Sequence, residues 1–212
     1  MSSVDALATI TFRRAALLVA LLALAVHAQA VGHAFTWNDG TNLVTNEAIT
    51  DVAHIPSFFT EPWGATAEDA TYRARNSQYW RPIPLTMWTL EVALFGLSPG
   101  PLHAISVLLH GVAAIFLLLF LWRLLPTPGP RRAGVVLGAI AWAVHPVHTE
   151  VVQVVSYRSD LLAGLFTLAA LAVWLGPQGR SERHGRRDRW FLVPVLFGLG
   201  VGSKEMAVTV PV

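Results

Sequence analysis

The sequence has no cysteine and few charged side chains, which make up only 13% of its 212 residues. Without cysteine the chain has no disulfide, no thiolate nucleophile and no zinc site built on cysteine. A soluble domain carries roughly a quarter of charged residues, whereas this chain is 54% hydrophobic and has a mean hydropathy of +0.52. These values exclude an ordinary soluble domain and predict an all-α polytopic membrane protein.

Apolar segments set the expected organisation of this helical bundle. Residues 15–34 follow Arg13 and Arg14 and provide about the 20 apolar residues that a spanning helix needs. Four more apolar runs begin at Pro101, Ala133, Leu161 and Trp190, so we expect about five transmembrane helices. The predicted organisation is a cytoplasmic amino terminus at 1–14, a first transmembrane helix at 15–34, an exterior loop with interfacial helices at 35–100 and a membrane domain with four further spans at 101–212.

Two features concern the ends of the sequence. Ala28-Gln29-Ala30 after an apolar run also matches the cleavage site of a signal peptide. We favour a retained helix because hydrophobicity resumes at Val31 and further spans follow. Because the sequence stops at Pro211-Val212 in an apolar run, we expect a truncated chain, part of a longer protein.

Basic residues predict the orientation, because Lys and Arg concentrate on the cytoplasmic side. With the amino terminus inside, five spans place the arginine-rich run 178–189 in the cytoplasm. This run is expected to fix topology and to touch anionic lipid rather than nucleic acid. The cell membrane of a bacterium is the predicted location. The other basic residues on the cytoplasmic side are Arg13, Arg14, Arg123, Arg131 and Arg132.

A polar junction interrupts the apolar runs on the predicted exterior side. His145, His148 and Glu150 end one run, and Arg158 and Asp160 begin the next. Polar groups at membrane depth are costly unless they face protein, water or a ligand, so this junction is a candidate functional site.

Three exterior basic residues, Arg81, Arg158 and Lys204, each adjoin the end of an apolar segment. Such groups suit a phosphate, because guanidinium presents a planar fork of donors. The alternative is that they snorkel, or pair with the nearby acids Asp160 and Glu205.

The histidines have two interpretations. His145, His148 and Glu150 could bind a divalent metal, but Pro146 breaks the helix that would align the two imidazoles, so hydrogen bonding to phosphate or sugar is favoured over metal. His103 and His110 are seven residues apart and share one helix face, and we expect His110 to lie inside the bundle.

Most of the eight tryptophans lie near predicted membrane boundaries, where an interfacial belt explains them.

Asp39 has two interpretations. Asp39 follows Trp37 closely, and its carboxylate is placed to accept a proton from an attacking hydroxyl. Alternatively, Asp39 and Gly40 simply form a turn.

Several motifs occur in a characteristic order. They are Phe35-Thr36-Trp37-Asn38-Asp39, Tyr79-Trp80-Arg81-Pro82, Gly96-Leu97-Ser98-Pro99 with His103 and His110, His145-Pro146-Val147-His148-Thr149-Glu150, Arg158-Ser159-Asp160 and Ser203-Lys204-Glu205. In this order they resemble the transmembrane and tetratricopeptide-repeat O-mannosyltransferase-like proteins of the C-type glycosyltransferase superfamily. The resemblance covers residues 35–205, nearly the whole chain.

The resemblance implies an enzyme, as the full-length protein, that transfers a hexose, expected to be mannose, from a polyprenyl phosphate to a protein or glycan hydroxyl. Asp39 matches the catalytic acid of the family, while Asn38 stands where a second acid is common. The lipid-linked sugar is the donor substrate, and a divalent metal remains an alternative that is not favoured. The expected donor-binding residues are Arg81, His103, His145, His148, Arg158 and Lys204, with Glu150, Asp160 and Glu205 as supporting acids.

A second hypothesis is a non-catalytic membrane assembly or transport protein that binds a partner through its acidic exterior loop. Internal repeats would favour a transporter, and the sequence shows none.

Overall fold

The computed structural model describes residues 7, 9–65, 70–76, 78–125, 129–176 and 182–209. Within these residues the regular elements are all helical, which confirms the predicted all-α class. The α-helices are α1 (Phe12–His27), α2 (Ser57–Thr60), α3 (Ala70–Asn76), α4 (Pro82–Phe95), α5 (Pro99–Leu124), α6 (Pro130–Ala143), α7 (Thr149–Gln153), α8 (Arg158–Leu175) and α9 (Glu182–Val201). A π-helical turn covers Gly40–Val44, and 3₁₀ turns cover Ala28–Gly32, Glu47–Thr50, Val52–His54, Pro146–His148, Val155–Tyr157 and Glu205–Thr209.

Three helical segments are long and apolar enough to cross a membrane, namely Phe12–Gly32, Pro99–Leu124 and Val155–Leu175. A fourth crossing results if α6 and the segment Pro146–Gln153, which meet at a bend of 40°, form one broken span. The chain is a multi-pass membrane protein. The described residues thus supply three or four of the five predicted spans, because the apolar part of α9, Arg189–Val201, is shorter.

Small side chains let α1 pack closely inside the bundle. Its buried residues Ala15, Val19, Ala23 and His27 recur every four positions and therefore form one face. This face packs on α5 and α6. Close approach of backbones through small residues is the usual way in which membrane helices associate.

The first exterior region is a folded layer rather than an open loop. Ile49, Phe58, Trp63 and Trp88 are buried together in one cluster, so Trp63 and Trp88 are not members of an interfacial belt. Part of this layer consists of three short helices over residues 47–60, because Asp51 caps a new turn and Pro56 begins another. This layer packs against α4.

The run 178–189 was expected to be a loop. Residues 177–181 lie outside the described part, but α9 begins at Glu182, so most of this run is the first part of a helix. Arg and Glu are good helix formers, which explains why a charged run can continue an apolar helix.

The two ends of the bundle carry different charged residues. At one end the Arg123 guanidinium donates to the carbonyl of Ala172, and Arg132 lies 4.9 Å from the ring centroid of Trp122. At the opposite end lie the start of α8 and the end of α9, with Asp160 and Lys204. The predicted site residues gather at this second end.

Candidate functional site at the polar end of the bundle

Asp39 joins the first exterior region to the turn that precedes α8. Its Oδ1 accepts from the Ser156 N–H at 2.7 Å, and its Oδ2 accepts from the N–H groups of Val155 and Thr36, both at 3.3 Å. The side chain is fully buried. In this arrangement the carboxylate anchors two loops, and a substrate hydroxyl cannot reach it unless these contacts open.

Arg158 lies at the centre of a buried polar cluster. Its Nη1 donates to both carboxylate oxygens of Glu91 at 2.5 and 2.6 Å, its Nη2 donates to the Leu102 carbonyl at 2.6 Å, and Nε and Nη2 both reach the Ser106 hydroxyl. Arg158 is 0% exposed. These contacts satisfy the guanidinium within the protein and tie α4, α5 and α8 together.

In this structure Glu91 occupies the Arg158 guanidinium, so the role of Arg158 as a ligand of the donor phosphate stays a prediction. A charge within a membrane protein is costly without a partner, so the buried Glu91 engages it fully. The partner expected from sequence proximity was Asp160, but the fold brings in a carboxylate 67 residues away.

Arg81 and Glu205 form a second ion pair nearer to solvent. Arg81 Nε and Nη2 donate to the two oxygens of Glu205 at 3.0 and 2.9 Å, and the guanidinium lies 4.7 Å from the ring centroid of Tyr79. The side chains are 15% and 47% exposed. Arg81 therefore pairs with one of the two acids named in the alternative, although Glu205 is 124 positions away in sequence, and it stays within reach of the solvent.

Lys204 extends this pair into a charged cluster. Its ammonium donates to Asp160 Oδ1, and the side chains are 22% and 34% exposed. The Ile83 N–H donates to the Gly202 carbonyl at 3.1 Å, so the start of α4 is joined to the end of α9. Arg81, Asp160, Lys204 and Glu205 thus form one cluster, which we call the charged rim, with two positive and two negative groups.

We expect the contribution of the Arg81–Glu205 pair to the stability of the fold to depend on pH. Partial burial acts to raise the pKa of Glu205, but hydrogen bonds and charge from Arg81, together with Lys204, outweigh it and hold that pKa below the usual 4.5. A lowered carboxyl pKa stabilises the fold above the unfolded value, and this contribution is lost as pH falls through the folded value. Because the pair is partly exposed, it should contribute less than about 1 kcal/mol.

The measurement is thermal unfolding of the wild type and of Glu205→Gln. The variant should unfold at a slightly lower temperature at pH 7, and the difference should vanish at a pH about two units below the usual Glu value. A difference that persists unchanged in acid would show that the ion pair is not its source.

Two histidines at the bend between α6 and α7 continue as a series of edge-to-face and tilted ring contacts through α5 to α1. Ring centroids are 6.5 Å apart for His145 and His148, 5.0 Å for His148 and His110, and 4.8 Å for His110 and His27. His110 is 0% exposed, as predicted for the bundle interior, and its Nε2 lies 2.8 Å from the Ala143 carbonyl. Trp142 lies against both His110 and His148.

His145 is the exposed end of this series. Its Nδ1 accepts from the Val147 N–H at 3.1 Å, so a neutral ring carries its proton on Nε2. His103, by contrast, is 0% exposed, and its ring centroid lies 6.3 Å from that of Phe35. Glu150 is exposed on α7. Within the described part of the chain, no three His, Asp or Glu side chains gather as metal ligands.

The sequence interpretation missed several residues of this end of the molecule. Glu91 was not among the predicted site residues, although the rule that buried charges pair could have linked it to Arg158. Ser106 and Tyr157 gave no sequence signal of their own. Their positions follow from which helices meet at the polar end.

Comparison with known proteins identifies relatives of this chain. It is 28% identical over 200 residues to protein O-mannosyl-transferase TMTC2 of Mus musculus, which covers 92% of this chain and 23% of the relative. It is 27% identical over 213 residues to protein O-mannosyl-transferase TMTC4 of Homo sapiens, with 92% and 28% covered. Protein O-mannosyl-transferase Tmtc1 of Drosophila melanogaster is 28% identical over 192 residues, with 89% and 21% covered.

No protein-family model matches the chain, and no solved structure matches it. The relatives are animal proteins, so they lend no support to the predicted bacterial membrane. The chain spans about a quarter of the length of the curated relatives that it matches. Over about nine tenths of its own length, the chain is a homologue of the TMTC protein O-mannosyl-transferases, which confirms the resemblance carried by its motifs.

Proposed function

We propose that this chain is part of a membrane glycosyltransferase that moves a hexose, mannose by analogy with the names of its relatives, from a polyprenyl phosphate to a hydroxyl group of a protein. The relatives named above support the transferase class. The polar end of the bundle would face the exterior and the amino terminus the cytoplasm, a proposal that rests on the distribution of arginines.

One observation carries the donor site of this proposal. The fold gathers two partly exposed cations, Arg81 and Lys204, in the charged rim, beside the membrane-spanning helices from which a lipid phosphate would approach. Phosphate oxygens would take over the hydrogen bonds that Glu205 and Asp160 now accept. Guanidinium and ammonium donors are suited to the negative charge that a leaving phosphate carries.

The reaction requires two bonds to change at the sugar. The acceptor oxygen forms a bond to the anomeric carbon, and the bond from that carbon to the phosphate oxygen breaks, so the phosphate leaves with the electron pair. The acceptor hydroxyl loses its proton to a base. The exposed Nε2–H of His145 offers a further donor to phosphate or sugar, and the half-buried His148 and the buried His103 remain proposed members of the donor site.

We assign Asp39 and Arg158 to positioning in the described arrangement. Asp39 holds Ser156, two residues before Arg158, and Arg158 holds α4 through Glu91. As a base, Asp39 would first have to release these amides, so that role remains a prediction. Glu150 remains a proposed supporting acid beside the histidines.

The donor site is tested by transfer kinetics with a longer, active form that contains this segment and with polyprenyl-phosphate mannose as donor. Removing Arg81 or Lys204 deletes a charge-assisted hydrogen bond, worth about 1.5–3 kcal/mol, so Arg81→Ala and Lys204→Ala should each raise the KM for donor about tenfold or more. Arg81→Lys should recover only part, because it loses the planar fork.

Arg132→Ala is the matched control, because Arg132 lies at the opposite end of the bundle against Trp122. It should leave the KM for donor unchanged. An equal rise of the KM for donor in all the variants would mean a general loss of fold. An unchanged KM in both Arg81→Ala and Lys204→Ala would show that the charged rim is not part of the donor site.

A further inference from the structure

Trp37 is the one non-glycine residue with positive φ in the described part of the chain, at φ 50°. A bulky residue is rarely found in this left-handed region, because its Cβ crowds the backbone. The side chain is nevertheless 84% exposed, so packing against the protein does not explain the conformation. Strain of this kind tends to persist where it serves a site.

A tight turn anchored from inside the protein imposes the conformation. The Asp39 N–H donates to the Thr36 carbonyl at 2.9 Å, so Trp37 is the first central residue of a β-turn. Positive φ at that position is normally supplied by Gly, Asn or Asp. The buried carboxylate of Asp39, bound to Val155 and Ser156, holds the turn in place. A large aromatic ring is therefore presented to the solvent by a rigid support.

Polar side chains belong to the same turn as Trp37 and to the residue that this turn contacts. Asn38, the next residue of the turn, is exposed, and its Nδ2 donates to the Tyr157 hydroxyl at 3.3 Å. A hexose has an apolar face of C–H groups and a rim of hydroxyls. An indole face beside an amide and a phenol is complementary to both parts, because tryptophan offers a large apolar surface and the neighbours exchange hydrogen bonds with hydroxyls.

We propose that Trp37 is a stacking platform for a hexose ring, with Asn38 and Tyr157 binding its hydroxyls. The proposal rests on the proposed function and deepens it, because it names the residues that would hold the sugar. The platform lies beside the Asp39 anchor, and its ligand is the hexose of the donor or a sugar on the acceptor.

Membrane anchoring is the rival explanation for an exposed tryptophan near the end of a spanning helix. Trp190 supplies a matched control, because it is 71% exposed on the regular helix α9 and has no positive φ. An anchor needs apolar bulk, which leucine retains. A stacking platform needs a flat ring, which tyrosine retains and leucine lacks.

The test uses the full-length protein in detergent with polyprenyl-phosphate mannose and a peptide acceptor. Trp37→Leu should raise the KM for one of these substrates about fivefold or more, in line with the loss of an aromatic contact, whereas Trp37→Tyr and Trp190→Leu should stay near the wild type. A rise for the donor assigns the hexose of the donor, and a rise for the acceptor, seen only when it is glycosylated, assigns an acceptor sugar. Unchanged KM values in Trp37→Leu would overturn the proposal.

Two further measurements separate the proposal from a structural role and from the proposed function. Trp37→Gly relieves the positive φ, so its unfolding temperature should equal or exceed that of the wild type, and a clear fall would show that Trp37 has a structural role.

Quenching of tryptophan fluorescence by methyl α-mannoside should be present in the wild type and weaker in Trp37→Leu. If the wild type shows this quenching but transfers no hexose, the transferase proposal fails and the stacking platform is retained. If the wild type shows no quenching and the KM values of Trp37→Leu are unchanged, only the stacking platform is overturned.

Discussion

Arg158→Leu is expected to lower the free energy of unfolding by about 3–5 kcal/mol, because it leaves Glu91 as a buried charge without a partner. Glu91 is 4% exposed and the Arg158 guanidinium binds both of its oxygens. The variant also strips the Leu102 carbonyl of its bond from Arg158. Thermal unfolding in detergent, followed by fluorescence or by aggregation, measures the loss.

The pH dependence of this loss identifies its origin. Burial raises the pKa of the Glu91 carboxyl, and only the charge and hydrogen bonds of Arg158 oppose it. Without Arg158 the carboxyl should take up a proton in the folded state, so the variant should be less destabilised at low pH and increasingly destabilised as pH rises through that raised pKa. A loss that is independent of pH would point to lost packing of the long side chain.

A second substitution provides the matched control. Glu91→Gln in the Arg158→Leu background removes the stranded charge and should recover part of the stability at neutral pH. Glu205→Gln breaks an ion pair of the same type that is partly exposed, and it should cost less than about 1 kcal/mol. If Arg158→Leu and Glu205→Gln have equal effects, burial does not distinguish the two pairs as the fold indicates.

The second large effect is expected for Asp39→Ala, on the order of 2–4 kcal/mol, because two buried N–H groups would lose their acceptor. These are the amides of Val155 and Ser156. The loss should be localised, with faster hydrogen exchange in the turn around Thr36 and in the turn that precedes α8. Transfer by a full-length form should fall as the loops loosen.

Asp51→Ala is the matched control for Asp39→Ala. Asp51 is exposed, and its Oδ1 caps a 3₁₀ turn through one bond, from the Ala53 N–H at 2.8 Å. Its loss should cost about 1 kcal/mol or less. Asp39→Asn separates the two roles of the carboxylate, because the amide keeps one acceptor oxygen but is not a base. If Asp39→Asn shows normal hydrogen exchange but no transfer, the result favours Asp39 as the base. If transfer in this variant falls only as far as hydrogen exchange in the two turns becomes faster, the result favours Asp39 as an anchor.

The gathering of site residues at one end of the bundle could be anticipated, but which acid pairs with which base could not. Arginines and acids alternate between apolar runs, so counting spans places Arg81, Arg158 and Lys204 on one side. The pairs Arg81–Glu205 and Glu91–Arg158 join residues that are 124 and 67 positions apart. Such contacts depend on which helices become neighbours, and hydropathy carries no information about that.

Local backbone conformation was also beyond the sequence interpretation. The sequence suggested a turn at Asp39 and Gly40, yet the observed turn has Trp37 and Asn38 as its central residues and puts Trp37 at positive φ. The reason is tertiary, because the Asp39 carboxylate is drawn inward to the amides of Val155 and Ser156.

By itself, the sequence determined the helical membrane class, the gathering of most arginines in segments away from the polar end, and the kinship with the TMTC proteins, because composition, apolar length and ordered motifs are all local properties of the chain. Only the tertiary structure showed that Arg158 is buried and joins three helices through its hydrogen bonds. It also showed that Arg81 and Lys204 remain accessible to solvent, and that Trp37 is exposed on a turn with positive φ. Burial and partner choice decide whether a charged group binds a ligand or the protein itself, and both are set by how helices distant in sequence pack together.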